Sequence, residues 1–236
     1  MIFLDKLKLL LLALSMESES ITPYINIHTH FKPVKQGVLT VRNGWLLKAG
    51  AYAHLNYLLS VGLHPWFLTS MTVGECTEKL MDVVTQPHTF AIGEIGLDRT
   101  IPIPMETQLK YFEAQLMVAR AVAKPVILHA VKSYSDFIPY QKKAKIPFIY
   151  HGFNGNIQQA KELVKNGALL SFGKALWQLK VQEAFKAIPL AHIFLETDNE
   201  SNLSIEAVYS HAASLRGIEN DELKFRIYHN FAALQK

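Results

Sequence analysis

The feature that most limits what this chain can fold into is a series of eight short apolar runs, at 24–27, 37–41, 57–63, 90–92, 125–128, 147–150, 168–172 and 192–195. Several are apolar at successive positions, as in strands buried on both faces of a parallel sheet. Between them the apolar spacing becomes helical. Met105, Leu109, Phe112, Leu116 and Ala119 form one face that ends before Pro125. Ile157, Ala160 and Val164 follow a capping Asn156 and stop at Gly167, while Ile205, Val208, Ala212 and Leu215 run from Ser204 to Gly217. Val181, Ala184, Phe185 and Ile188 end at Pro189, and Leu223, Ile227, Phe231 and Leu234 make a last helix. Strand and helix alternate, which predicts βα units around a parallel sheet. Eight strands point to an α/β fold of the (β/α)8 barrel type more than to an open sheet. Little chain separates His30 from Gly62, so one early βα unit is expected to be abbreviated.

The length, 236 residues, suits one such barrel over residues 21–236. Half the residues are hydrophobic and 19% are charged, which excludes a disordered chain. The net charge of +4 names no partner, because nucleic-acid binding needs a patch rather than a mild excess. A single cysteine, Cys76, excludes an internal disulfide framework and a cysteine-rich zinc finger, and suits a reducing compartment. Lys6 and Lys8 ahead of the apolar run 9–14 loosely imitate a signal peptide, but the run is far short of the ~20 residues that cross a bilayer. Residues 1–20 are read as an extension outside the fold, and no membrane span is expected.

In a parallel barrel the reactive groups gather at the C-terminal ends of the strands. There the chain places His28 and His30 after the first run, Glu94 after the fourth, His129 after the fifth, His151 after the sixth and Asp198 after the eighth. The His28/His30 spacing puts two imidazoles on one face of a strand, aimed at one ion. Taken singly, these could be loop histidines, His129 and His151 could be hydrogen-bonded core histidines, and Glu94 and Asp198 could be helix caps or ion-pair partners. Together, four imidazoles and two carboxylates at one end of a barrel suit two divalent ions such as Zn2+ or Mn2+, or Mg2+ with more waters.

The segments Asn26-Ile-His28-Thr-His30, Gly62-Leu-His64-Pro65-Trp66, Ala91-Ile-Gly93-Glu94-Ile-Gly96-Leu97-Asp98, Lys124-Pro125-Val-Ile-Leu-His129, His151-Gly152-Phe153-Asn154-Gly155 and Leu195-Glu196-Thr197-Asp198 resemble, in order, the motifs of the TatD family of metal-dependent hydrolases. The likeness runs from about residue 24 to Asp198, with a weaker echo in Asn230-Phe231. It implies a TIM barrel of the amidohydrolase superfamily. It also implies that His28, His30 and Asp198 hold one ion, that Glu94 bridges, and that His129 and His151 hold the other. The implied activity is hydrolysis of ester bonds by a magnesium-dependent deoxyribonuclease, often a 3′–5′ exonuclease. Asp198 and Glu94 are then the catalytic groups and DNA is the substrate. A cytoplasmic location without an obligate protein partner completes the expectation.

The chain also departs from the family. Asn26 stands where the family usually has Asp, Ala130-Val131 replace Ser-Arg with Lys132 one place later, and Glu200 replaces Pro. A lost arginine weakens bidentate phosphate recognition, so these departures bear on DNA as the substrate and leave metal-dependent hydrolysis as the expectation. An amidohydrolase acting on a small amide, ester or lactone, and a non-catalytic barrel used as an interaction module, are the alternatives. Candidate substrate contacts are His64, Trp66 and Arg99; His64 could instead stabilise the turn at Pro65, and Trp66 could pack under a loop. Asp98 reads as a turn residue or a partner for Lys or Arg, and Asn154 as a cap. The run Gln141-Lys142-Lys143-Ala144-Lys145 reads as a solvated helix end, with contact to a DNA backbone as the sharper alternative.

Overall fold

The computed structural model describes residues 22–32, 35–48 and 57–235. The N-terminal stretch read as an extension lies outside the described residues. Eight strands, β1 (Tyr24–Thr29), β2 (Val38–Trp45), β3 (Leu58–Gly62), β4 (Thr89–Asp98), β5 (Val126–Val131), β6 (Phe148–Tyr150), β7 (Leu169–Phe172) and β8 (Ile193–Leu195), form one sheet in sequential order, every pair parallel. The sheet curls until β8 meets β1 through a single parallel bridge, Thr29 to Asp198. There the His30 amide donates to the Asp198 carbonyl (3.1 Å) and the Asp198 amide to the His28 carbonyl (3.0 Å). The ring therefore closes at the level of three of the expected ligands. Further down, where β8 no longer reaches β1, the buried hydroxyl of Tyr209 accepts from the Ile25 amide (3.0 Å) and donates to its carbonyl (3.1 Å). Those buried backbone groups would otherwise stand unpaired.

Seven α-helices pack around the described barrel: α1 (Val73–Val84), α2 (Met105–Ala121), α3 (Ile138–Ala144), α4 (Ile157–Lys165), α5 (Leu179–Ala187), α6 (Ile205–Arg216) and α7 (Asn220–Ala233). The expected caps are in place. Asn156 and Gln159 make a reciprocal capping box, Ser204 accepts from the Ala207 amide, and Gly217 ends α6 in the left-handed region (φ 64°). Helix α1 is not among the predicted helices, although Thr72 and Glu75 form its capping box and Cys76, Leu80, Val83 and Val84 bury one face of it. No α-helix stands among the described residues between β1 and β2, in line with one abbreviated early unit. None of the described helices is long and apolar enough to cross a membrane.

The lysine-rich run is the end of α3. Lys142 and Lys143 occupy its last turn, and Gln141 is buried with its amide donating to the Asn166 carbonyl (2.7 Å). A helix that precedes β6 ends at the N-terminal side of the sheet, away from the histidines. The solvated helix end is thus the reading the fold supports.

Strand β4 extends well beyond the expected 90–92 to Asp98, and all its residues are buried. Its glycines allow this. A Cβ on Gly93 would lie 2.7 Å from both the Cβ and the carbonyl oxygen of Ile127, and one on Gly96 would collide with the His129 carbonyl. Both glycines let β4 lie against β5, which sets Glu94 beside His129. Gly96→Ala is therefore expected to lower stability by about 1–3 kcal/mol or more in urea unfolding. An unchanged midpoint would contradict the close β4–β5 approach.

Candidate metal centre

Glu94 lies at the middle of the barrel mouth, 5% exposed, and each of its carboxylate oxygens faces a different set of donors. Oε2 is 3.6 Å from Nε2 of both His28 and His30, and Asp198 Oδ1 lies 3.5 and 3.4 Å from the same two nitrogens. Oε1 is 2.7 Å from His151 Nε2, 3.1 Å from His129 Nδ1 and 3.5 Å from His64 Nε2. All six expected ligands converge. The alternation along β1 delivers His28 and His30 to the same place, and the left-handed backbone of Asp198 (φ 48°) turns its side chain into the mouth just after β8.

Three residues that the sequence did not single out for these roles hold the cluster in shape. Asn43 on β2 grips Glu94 twice: its amide nitrogen donates to Oε2 (3.0 Å), and its carbonyl accepts from the Glu94 backbone amide (3.2 Å). Asp98, read above as a turn residue or cation partner, lies with Oδ2 3.1 Å from His129 Nε2, and its Oδ1 accepts from the Thr100 amide (2.8 Å). Glu196, fully buried, lies 3.5 Å from His151 Nδ1 and accepts from the Gly152 amide (2.8 Å). Carboxylates behind metal-binding imidazoles fix tautomer and ring orientation and raise ligand basicity. Asn43 left no signal in periodicity or spacing, whereas Glu196 stands two residues before Asp198. Asn26 donates to Thr197 Oγ1 (2.9 Å) and accepts from the Thr197 amide (3.1 Å), knitting β1 to β8 beside the ring closure.

His64 differs from the other imidazoles. Its Nδ1 accepts the Trp66 backbone amide (3.1 Å), which leaves the proton on Nε2 when the ring is neutral. Burial lowers its pKa and outweighs the nearby Glu94, so the neutral form prevails near pH 7. His64 thus presents an N–H donor to the cavity. Trp66 is exposed, and its indole N–H donates to Asp98 Oδ2 (2.8 Å). Arg99 is committed to Asp136 (2.8 Å) and is not among the residues that line the cavity.

The donor set suits a divalent cation. Neither ring nitrogen of the fully buried His28 has a hydrogen-bond partner. The four separations of 3.4–3.6 Å around His28, His30, Glu94 and Asp198 are long for hydrogen bonds. They match the ~3.4 Å edge of a tetrahedron whose centre lies ~2.1 Å from nitrogen and oxygen ligands. Ligand atoms of His28, His30 and Asp198 form one group within 4.8 Å of one another, and those of His28, Glu94 and His151 another.

Without metal, protons hold the cluster together. Burial opposes the charge on His30, but Asp198 and Glu94 overcome it and raise its pKa from 6.5 to about 9. His151 is likewise raised against its burial by Glu94 and Glu196, while His151, His129 and His30 hold Glu94 well below the carboxylate range despite its own burial. The raised His30 stabilises the metal-free fold fully below pH 6.5, and this contribution is lost as the pH rises through about 9. A cation must displace these protons. Calorimetric titration with Zn2+ in two buffers of different ionisation enthalpy is therefore expected to show proton release at pH 7 and an affinity that rises with pH toward 9. Binding without proton release would contradict this. Asn43→Ala is expected to weaken metal binding about 10- to 100-fold in the same titration, and wild-type affinity would show that the clamp is idle.

Comparison with known proteins bears on what such a centre serves. The family model described as TatD related DNase matches residues 29–236. An uncharacterized metal-dependent hydrolase of Escherichia coli, YjjV, is 30% identical over 146 residues, covering 59% of this chain and 56% of that protein. The 3′-5′ ssDNA/RNA exonuclease TatD of Klebsiella pneumoniae is 32% identical over 150 residues, again 59% of this chain and 56% of the relative. The chain thus spans a little over half the length of these relatives. The crystal structure of YjjV superposes with a TM-score of 0.77 at 24% identity over 91% of this chain and 98% of that one, a likeness of fold. Because the family model covers nearly the whole chain, the protein belongs to the TatD related DNase family.

Proposed function

We propose that the protein is a metal-dependent phosphodiesterase that hydrolyses single-stranded DNA or RNA, with two divalent ions, Mg2+, Mn2+ or Zn2+, one on each side of Glu94. The observation that carries the reading is the division of Glu94 between two donor sets, His28 and His30 at Oε2, with Asp198 facing the same two imidazoles, and His129 and His151 at Oε1. The Klebsiella relative, named for action on single-stranded DNA and RNA, supports the substrate class. Bound there, two ions would activate a water for attack and draw charge from the phosphoryl oxygens.

The chain's own residues supply the rest. Asp198, partly exposed at the mouth, is placed to orient the attacking water and accept its proton. His64, held neutral with its proton on Nε2, donates a hydrogen bond to an oxygen of the phosphodiester as charge develops there. Asn43, Asp98 and Glu196 keep the cluster from relaxing during turnover. The retained cluster argues against a non-catalytic barrel. A buried lone cysteine is consistent with a reducing compartment such as the cytoplasm.

Metal-free protein reconstituted with Mn2+ or Mg2+ is expected to degrade end-labelled single-stranded DNA or RNA. Glu94→Ala is expected to bring the rate below detection while keeping a cooperative unfolding transition. Wild-type rates in that variant would overturn the role of Glu94, and turnover of a lactone or amide with inert nucleic acid would overturn the substrate class.

A further inference from the structure

Trp66 is 58% exposed yet held in place, because its indole N–H is bonded to the same Asp98 oxygen that faces His129. Its ring stands edge-on to His64, with centroids 5.2 Å apart at 87°. At the end of β2, Trp45 is 42% exposed and forms a tilted pair with Phe67, 5.0 Å apart at 33°. These three rings and Leu47 line the same cavity, about 390 Å3 in volume, as Glu94, His129, His151 and Asp198. One side of the cavity is thus apolar and aromatic, and the other is built of metal-type donors.

We infer that the aromatic side, with Trp66 as its platform, is a nucleobase subsite that takes the base adjoining the phosphodiester held at the cluster. The inference rests on the nuclease reading of this site. A base offers a flat, weakly charged face that stacks on an indole whatever its identity, and it is accessible only where it is neither paired nor stacked in a duplex. The cations nearby suit the strand that carries such a base. Lys48 lies over the Trp45 ring at 5.7 Å, and Lys132 is exposed just after β5, so both can meet neighbouring phosphates. The shared Asp98 oxygen ties the platform to His129, which keeps base and scissile phosphate in one register.

The test compares an oligothymidylate with an abasic tetrahydrofuran strand of equal length and backbone charge, using the full chain loaded with Mn2+. The oligothymidylate is expected to quench tryptophan emission and to show a KM about 5- to 100-fold below that of the abasic strand. Trp66→Ala is expected to bring the two KM values together, and Trp66→Phe, which keeps a ring without the indole N–H, to restore part of the difference. Equal KM values with unchanged emission would overturn the subsite. So would a Trp66→Ala variant that raises both KM values by the same factor, which would assign Trp66 only to holding Asp98. A protein that cleaves neither strand fails the nuclease reading instead, and quenching by the base-bearing strand alone still decides the subsite.

Discussion

A carboxylate buried at the centre of a barrel is unfavourable unless opposite charge reaches it, and the rest of the mouth is arranged around that constraint on Glu94. Glu94, Asp98, Glu196 and Asp198 bring four negative charges within contact of the imidazoles of His28, His30, His129 and His151. In the metal-free protein, protonated His30 and His151 meet part of that demand. Two divalent cations would meet all of it and leave the imidazoles neutral. The geometry that makes the metal-free cluster electrostatically costly is the same geometry that suits it to cations, and both call for a rigid frame.

The frame comes from backbone contacts that few side chains reveal. The bridge joining β8 to β1 runs through the backbone of His28, His30 and Asp198, so closing the barrel and assembling one donor set are the same event. On the opposite side, Gly93 and Gly96 let β4 lie against β5 and set Glu94 between His129 and the β1 histidines. Beside them, the end of β2 and the turn that follows β3 contribute Trp45 and Trp66 to the cavity.

Much of this was legible in the sequence. Apolar runs marked all eight strands, several of them two-sided because strands of a parallel barrel are buried on both faces, and Asn156, Ser204 and Gly217 marked helix ends through caps that act locally. The six cluster residues were legible because each follows a strand-like run. What stayed hidden depends on contacts between distant elements. Asn43 reaches Glu94 across 51 residues, and nothing in its neighbourhood distinguishes it from any polar residue at a strand end. Asp98 looked like a turn residue because its partners, Trp66 in the turn after β3 and His129 on β5, come from other parts of the chain. The helix behind the capping box of Thr72 and Glu75 was legible too, since Cys76, Leu80, Val83 and Val84 fall at helical spacing, but a cysteine and two adjacent valines make that stripe easy to pass over.

The central claim is that one carboxylate joins two metal ions, and it is tested most directly by electron paramagnetic resonance of the wild-type protein titrated with Mn2+. Two ions sharing Glu94 predict an exchange-coupled pair spectrum that grows in as the second equivalent binds. A spectrum of magnetically isolated Mn2+ at every stoichiometry, or saturation at one ion per chain, would contradict the account.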